Sequence, residues 1–330
     1  MNQLVKTPLL YQKALVWDAH SCLPLKRGID LSPLSRHKKA GIDYVSINVG
    51  MDFNPWTDCI RVLAYFRSWI RQHSDEFMLV NTIDDVRRAK SLGKLGITFD
   101  LEGSVMLDQD LDMLGLFHDL GVRQIHFAYN RDNAAAGGCH GRDIGLSNYG
   151  RRLVNEVNRL GLLMDCSHTG YRSSMEIMEI STKPVIFSHA NCAALKDHPR
   201  NIRNDQIDRC VATGGVIGVN GIGIFLSDQP ASATTMIPHI DYLVQRVGAK
   251  HVGLGLDFSF IKGIDDNPPN FEAALWWPPE AGYGSGMTYA PPESFIQIAE
   301  ALLKKGYKEK DILGILGENF LRVAGQTWAA

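Results

Sequence analysis

Six apolar stretches of this chain end in side chains that can bind a metal or carry a proton. They are Asp18-Ala-His20-Ser-Cys22, Asp100-Leu-Glu102, Tyr129, Asp165-Cys-Ser-His168, Ser188-His189 and Asp257. Neutral imidazoles and a carboxylate suit Zn2+ or a similar divalent ion. Such an ion brings the pKa of bound water toward about 7 and polarises a carbonyl, and an aspartate can then shuttle the proton. The chemistry indicated is metal-assisted hydrolysis. Arg200, in the run His198-Pro199-Arg200-Asn201, would anchor a substrate carboxylate through paired hydrogen bonds.

Each residue also has a plainer reading. A histidine at a strand end is often only a hydrogen-bonded structural residue, and a buried cysteine is usually a small hydrophobe. Asp257 could cap the next turn, and Arg200 could be a surface residue on a polar loop. His37, His73, His118 and His239 read as surface histidines. What favours a site is joint placement at the ends of separate strands. Residues i and i+2 of a strand point the same way, so His20 pairs with Cys22 and Asp100 with Glu102.

Side chains so far apart in sequence can meet only if their strands run side by side in one sense. Short β-branched runs bounded by turn residues predict strands at Leu15–Cys22, Tyr44–Gly50, Leu95–Glu102, Gln124–Tyr129, Leu162–His168, Val185–His189, Gly215–Asn220 and His251–Phe258. Their near-continuous apolar character suits parallel strands covered on both faces. Phe77–Thr82 reads as a short accessory strand. Between strands, Leu153, Val157 and Leu160 form a helical stripe between a Ser147 cap and Gly161, and Ile240, Leu243, Val244 and Val247 form another before Gly248. Eightfold strand–helix alternation predicts an α/β fold, a (β/α)8 TIM-like barrel forming a single domain over residues 1–330; a doubly wound open sheet is the alternative. In a barrel all six polar strand ends converge on one mouth. An irregular segment, Gly263–Pro292, rich in Pro, Gly and aromatics, follows the eighth strand, where barrel enzymes place covering loops.

Composition narrows the function classes. The 330 residues are 45% hydrophobic and 21% charged with a net charge of −2, so no basic excess exists to bind nucleic acid or anionic membrane. No apolar run is long enough to span a bilayer, and the first twenty residues lack the apolar stretch of a signal peptide. Six scattered cysteines without a CxxC pair suit a reducing cytoplasm. Gly214–Gly223 is glycine-rich but lacks the G-x-G-x-x-G of a nicotinamide site.

From WDAHSCLPL at 17–25 to LGENFLRVAG at 316–325 the sequence resembles the membrane (renal) dipeptidases and their bacterial relatives, within the amidohydrolase superfamily. The most specific stretches are GLSNYGRRLVNEVNRLGLLMDCSH (145–168), PVIFSHANCAALKDHPRN (184–201) and HVGLGLDF (251–258). The resemblance implies a TIM-like barrel with two Zn2+ ions bridged by a glutamate that hydrolyses dipeptides, and a family that often forms homodimers; with Cys22 at the first metal position, one or two ions are expected in this chain. It places His20 at the first metal ligand, Glu102 at a bridging glutamate, His168 and His189 at the second metal, Asp257 at the eighth-strand aspartate and Arg200 at the substrate carboxylate.

Three positions depart from the family pattern. The first-strand H-x-D is His20-Ser21-Cys22, so Cys22 stands where a carboxylate binds metal. Tyr129 replaces a histidine that contacts the tetrahedral intermediate, and Asp257-Phe258 continues into Ser259-Phe260 instead of Asp-Gly. A neutral Tyr129 phenol could still steady an oxyanion. Zinc-dependent dipeptide hydrolysis therefore competes with two other expectations: a pocket reshaped for another small amide such as an N-acyl amino acid, and a catalytically weakened barrel that only binds its ligand.

Overall fold

A computed structural model describes residues 3–260, 267–284 and 286–328. Its strands are β1 (Trp17–Cys22), β2 (Tyr44–Met51), β3 (Phe77–Leu79), β4 (Leu95–Glu102), β5 (Val122–His126), β6 (Leu163–Asp165), β7 (Val185–Ile186), β8 (Ile217–Asn220), β9 (Val252–Gly255) and β10 (Phe258–Ser259). All pairings between them are parallel. β10, β1, β2, β4, β5, β6 and β7 form one continuous path, and β8 pairs with β9. A parallel bridge from Phe187 to Ile217 joins β7 to β8, and the β9–β10 stave returns to β1 through Phe258 opposite Ser21. The circle is closed, a (β/α)8 barrel, and the open-sheet alternative is set aside.

The accessory strand exists in shortened form. β3 pairs with the first half of β4, at Phe77 opposite Leu95, while β5 takes over from Phe99 onward. Both anticipated helices form. Asn148–Leu160 starts at Ser147, whose hydroxyl accepts from the Gly150 amide, and stops at Gly161 in the left-handed region (φ 77°). Ala233–Val247 ends at Gly248. Buried apolar side chains fill the space between staves and helices. Below the barrel, Trp17, Tyr44, Phe320 and Trp328 stack on one another, which ties the last helix (Asn319–Thr327) to the first strand.

Four staves end earlier than the apolar runs suggest. Tyr129, His168, His189 and Asp257 lie just beyond β5, β6, β7 and β9, because the backbone bends away from the ladder there. Asn130, His168 and Asp257 have φ of 59°, 64° and 56°, a left-handed conformation strained for side chains with a Cβ. Two glycines allow the barrel to close tightly beside His189. A Cβ on Gly218 or Gly255 would lie 2.0 or 2.1 Å from the Ser188 carbonyl oxygen.

His37 and His239 are not surface residues. His37 is fully buried against Asp18 (2.8 Å), and His239 is buried between the Cys192 amide and the Leu226 carbonyl. Each has a partner for its ring, which a reading of polarity alone does not reveal. In the segment expected at Gly263–Pro292, residues 261–266 and 285 lie outside the described residues. The rest holds a short helix (Ala273–Trp276), a turn at Pro279–Ala281 and a bridge from Tyr289 to Ile222.

Candidate metal centre

The centre is organised around one carboxylate oxygen. Glu102 ends β4, and its Oε2 accepts from Asn48 Nδ2 at 2.5 Å, which leaves Oε1 facing the barrel axis. Oε1 lies 3.0 Å from His168 Nε2, 3.5 Å from His189 Nε2 and 3.4 Å from His20 Nε2. The two Nε2 atoms of His168 and His189 are 3.0 Å apart. On the other side of Glu102, His20 Nε2 lies 3.4 Å from Cys22 Sγ and 3.7 Å from Asp257 Oδ1, and the sulfur is 3.8 Å from that oxygen. Ligands around a tetrahedral zinc are about 3.3–3.6 Å apart. Glu102 Oε1, His168 and His189 thus make one donor triangle of about that size, and His20, Cys22 and Asp257 make a slightly wider one joined to Glu102 Oε1 through His20.

Each imidazole is turned by the partner of its other nitrogen. His20 Nδ1 faces Asp100 at 3.2 Å, and Asp100 is itself held by Ser46 Oγ at 2.6 Å. His189 Nδ1 pairs with Ser188 Oγ at 2.6 Å. His168 Nδ1 lies 2.7 Å from Asn130 Oδ1, whose Nδ2 already donates to the Trp276 carbonyl. That engagement turns the amide oxygen toward His168 Nδ1, which Arg200 Nε also approaches at 3.2 Å. All three Nε2 atoms then face the centre.

The electrostatics ask for positive charge. Burial, reinforced by Asp257 and Asp100, pushes the Glu102 carboxyl up to about 7 despite His20 and His126. Burial, together with Arg200 and the neighbouring imidazoles, holds His168 and His189 well below the ordinary histidine value, in the neutral form that binds metal. Burial likewise raises the Cys22 thiol, opposed by His20. A thiolate there needs a cation. Imidazole, carboxylate and thiol together fit a divalent ion of zinc's type.

A third cluster, His126, Asp165 and His189, has metal-like spacing but a different role. His126 donates from Nδ1 to the Leu101 carbonyl (3.0 Å) and meets Asp165 Oδ2 through Nε2 (2.8 Å). Burial works against its charge, yet Asp165 and Glu102 raise its pKa. One nitrogen is spent on the Leu101 carbonyl and the other lies against the Asp165 carboxylate, so this cluster braces the barrel. Asp165 also takes the Ser167 and Ser188 amides, which fixes the backbone that carries His168 and His189.

Above the centre lies a cleft of about 820 Å3, walled by Glu102, Tyr129, His168 and Asp257 and by apolar residues such as Met51, Ile222, Trp277 and Met287. Tyr129 is buried over His168, with ring centroids 4.4 Å apart, and its phenol is raised well above 10 by burial and Glu102. Asp257 Oδ2 accepts from Asn220 Nδ2 at 3.0 Å. Arg200 is buried, not surface-exposed. Its Nε approaches His168 Nδ1 (3.2 Å) and its terminal nitrogen donates to the His189 carbonyl (2.9 Å). It borders an adjoining cavity of about 470 Å3, not the larger cleft. The structure thus brings His20, Cys22, Glu102, His168, His189 and Asp257 together, with Tyr129 above and Arg200 behind. Sequence reading passed over Asn48, Asn130, Asn220 and His126. Their signal was a polar side chain in or just after an otherwise apolar parallel strand.

A closed barrel with this cluster at its C-terminal mouth has the architecture of a barrel amidohydrolase. It superposes on an amidohydrolase from Pseudomonas aeruginosa with a TM-score of 0.86 at 26% identity, covering 98% of this chain and 99% of that one. The chain belongs to the membrane dipeptidase family (peptidase family M19), whose model matches residues 59–275. An uncharacterized dipeptidase of Schizosaccharomyces pombe is 30% identical over 279 residues, 82% of this chain and 62% of that protein. The chain thus spans about three-fifths of that curated relative's length. A metallopeptidase from Rhodobacter sphaeroides, liganded with a phosphinate mimic of the dipeptide L-Ala-D-Ala, shares the fold (TM-score 0.77, 21% identity, 96% of this chain and 99% of that one). Among the described residues no helix is long and apolar enough to cross a membrane.

Proposed function

We propose that this protein is a zinc-dependent hydrolase of dipeptides or closely similar small amides, working as one barrel domain. One observation carries the reading: Glu102 Oε1 stands 3.0–3.5 Å from the Nε2 atoms of His168, His189 and His20, and His20 Nε2 stands in turn 3.4 Å from Cys22 Sγ and 3.7 Å from Asp257. His168, His189 and Glu102 would hold one ion, and His20, Cys22 and Glu102 a second. A bound ion of this kind supplies an acidified water and a polarised amide carbonyl.

The chain's own groups do the remaining work. Asp257, steadied at Oδ2 by Asn220, takes a proton at its carboxylate from the attacking water and returns it to the departing nitrogen. Tyr129 donates its phenolic proton to the oxygen on which negative charge develops. Asp52 sets the loop that carries the tyrosine, accepting from the Ser104, Val105 and Tyr129 amides. Arg200 steadies His168 and His189 from behind and offers its charge to a substrate carboxylate reaching the adjoining cavity.

The test pairs metal quantification with an activity screen on L,L and L,D dipeptides. One or two equivalents of zinc with turnover support the reading. Zinc-loaded protein inert across the panel overturns it. A second reading, hydrolysis of an N-acyl amino acid, draws on the large cleft, whose mostly apolar described lining suits an acyl chain in place of a charged amino terminus. Selective turnover of N-acyl amino acids with dipeptides untouched would establish it.

A further inference from the structure

The residue that takes the place of the family's histidine does not act alone. Trp277 Nε1 donates to the Tyr129 phenol oxygen at 2.8 Å. Trp277 belongs to the segment after the eighth stave, far from β5 in sequence, and both residues wall the 820 Å3 cleft. The contact is braced on each side. Phe53 packs edge-on to both rings, with centroids 5.9 Å from Tyr129 and 5.6 Å from Trp277, and Phe271 packs against Trp277 at 5.3 Å. One residue on, Asn130 holds the Trp276 carbonyl, so two hydrogen bonds tie this segment to the end of β5.

An indole N–H can only donate, whereas a phenol both donates and accepts. In this pair the phenol oxygen is the acceptor, so its own proton must point away from the indole. The cleft shared with Glu102, His168 and Asp257 is where a substrate oxygen can meet that proton. A hydroxyl that accepts one hydrogen bond donates a stronger one in return. We propose that Trp277 is a positioning residue that aims and polarises the Tyr129 hydroxyl toward the oxyanion of the reacting amide. The indole and phenol together thereby perform the task of the absent histidine. This rests on the hydrolase reading above, and its test keeps the two separable.

The experiment is a double-mutant cycle of Trp277→Phe and Tyr129→Phe on the zinc-loaded protein. It is read both by dipeptide kinetics and by calorimetric binding of a phosphinate dipeptide mimic, which needs no turnover. Loss of one neutral hydrogen bond predicts about a fivefold fall in kcat for Trp277→Phe, with KM unchanged, and about tenfold for Tyr129→Phe. In the Tyr129→Phe background the tryptophan change should cost nothing more. Trp277→His, which retains a ring N–H, should recover part of the loss. Phosphinate affinity should fall by the same factors, with zinc content unmoved. Equal losses from Trp277→Phe in both backgrounds, or a loss in KM alone, would overturn the proposal. If no dipeptide is cleaved, the hydrolase reading fails, and the phosphinate cycle still decides whether the two residues act as a pair.

Discussion

The two halves of the donor cluster share Glu102 but are built differently. In the His168–His189 half the donors are nitrogen and oxygen, with separations of 3.0–3.5 Å. No carboxylate backs its imidazoles: their second nitrogens meet Asn130, with Arg200 Nε 3.2 Å away, and Ser188. In the His20 half one donor is sulfur and the separations are 3.4–3.8 Å, while His20 is backed by the Asp100 carboxylate. A larger, softer ligand needs a wider triangle, and a thiolate leaves its metal less Lewis acidic than a carboxylate does. With zinc bound in both halves as proposed, the first would be the better polariser of the substrate and the second the better anchor.

The largest expected effect tests what the halves share. Glu102→Gln removes the charge common to both halves, so bound zinc should fall toward zero and kcat by about a thousandfold or more. Zinc retained at the wild-type level would show that the halves do not depend on Glu102. His189→Ala removes a donor of the tighter triangle. Activity should fall by more than the roughly 10–100-fold that outer-shell partners cost, while at most one equivalent of zinc is lost. Loss of both equivalents would mean the halves are not separable.

How much of this could be read from the chain depended on the kind of residue. Strand-end histidines and carboxylates stood out because a parallel barrel stave is otherwise apolar, and the i, i+2 rule placed Cys22 beside His20 and Asp100 beside Glu102. Closure of the sheet followed from counting alternations. The partners that aim those ligands were hidden. Asn48 and Asn130 are ordinary polar residues until Glu102 and His168 come within hydrogen-bond reach. The burial of His37 and Arg200 depended on contacts with Asp18 and His189 from other strands. Trp277 was marked only as part of an aromatic-rich segment. Its bond to Tyr129 depends on how that segment folds back over the mouth, which no local pattern encodes.

The Cys22 substitution series sharpens the contrast between the halves. If the thiolate is a ligand, Cys22→Ala should lower zinc content by up to one equivalent and leave the His168–His189 half loaded. Cys22→Asp should keep or raise both zinc content and activity, because a hard carboxylate restores the other half's chemistry. Metal content unchanged in Cys22→Ala would remove the sulfur from the ligand set and leave His20 and Glu102 to hold that side.

The smallest effect separates the halves by what stands behind their imidazoles. A carboxylate hydrogen-bonded to a ligating histidine raises its basicity more than a hydroxyl does, and such partners are worth about 10–100-fold in metal affinity. Asp100→Asn should therefore weaken zinc retention against a competing chelator by an amount near the upper end of that range. Ser188→Ala should cost about tenfold or less. Asp100 is also held by Ser46 and is fully buried, so the asparagine variant keeps the volume and changes mainly the charge. Equal losses in the two variants would mean that the ring's orientation, and not the charge behind it, sets how firmly each half grips its ion.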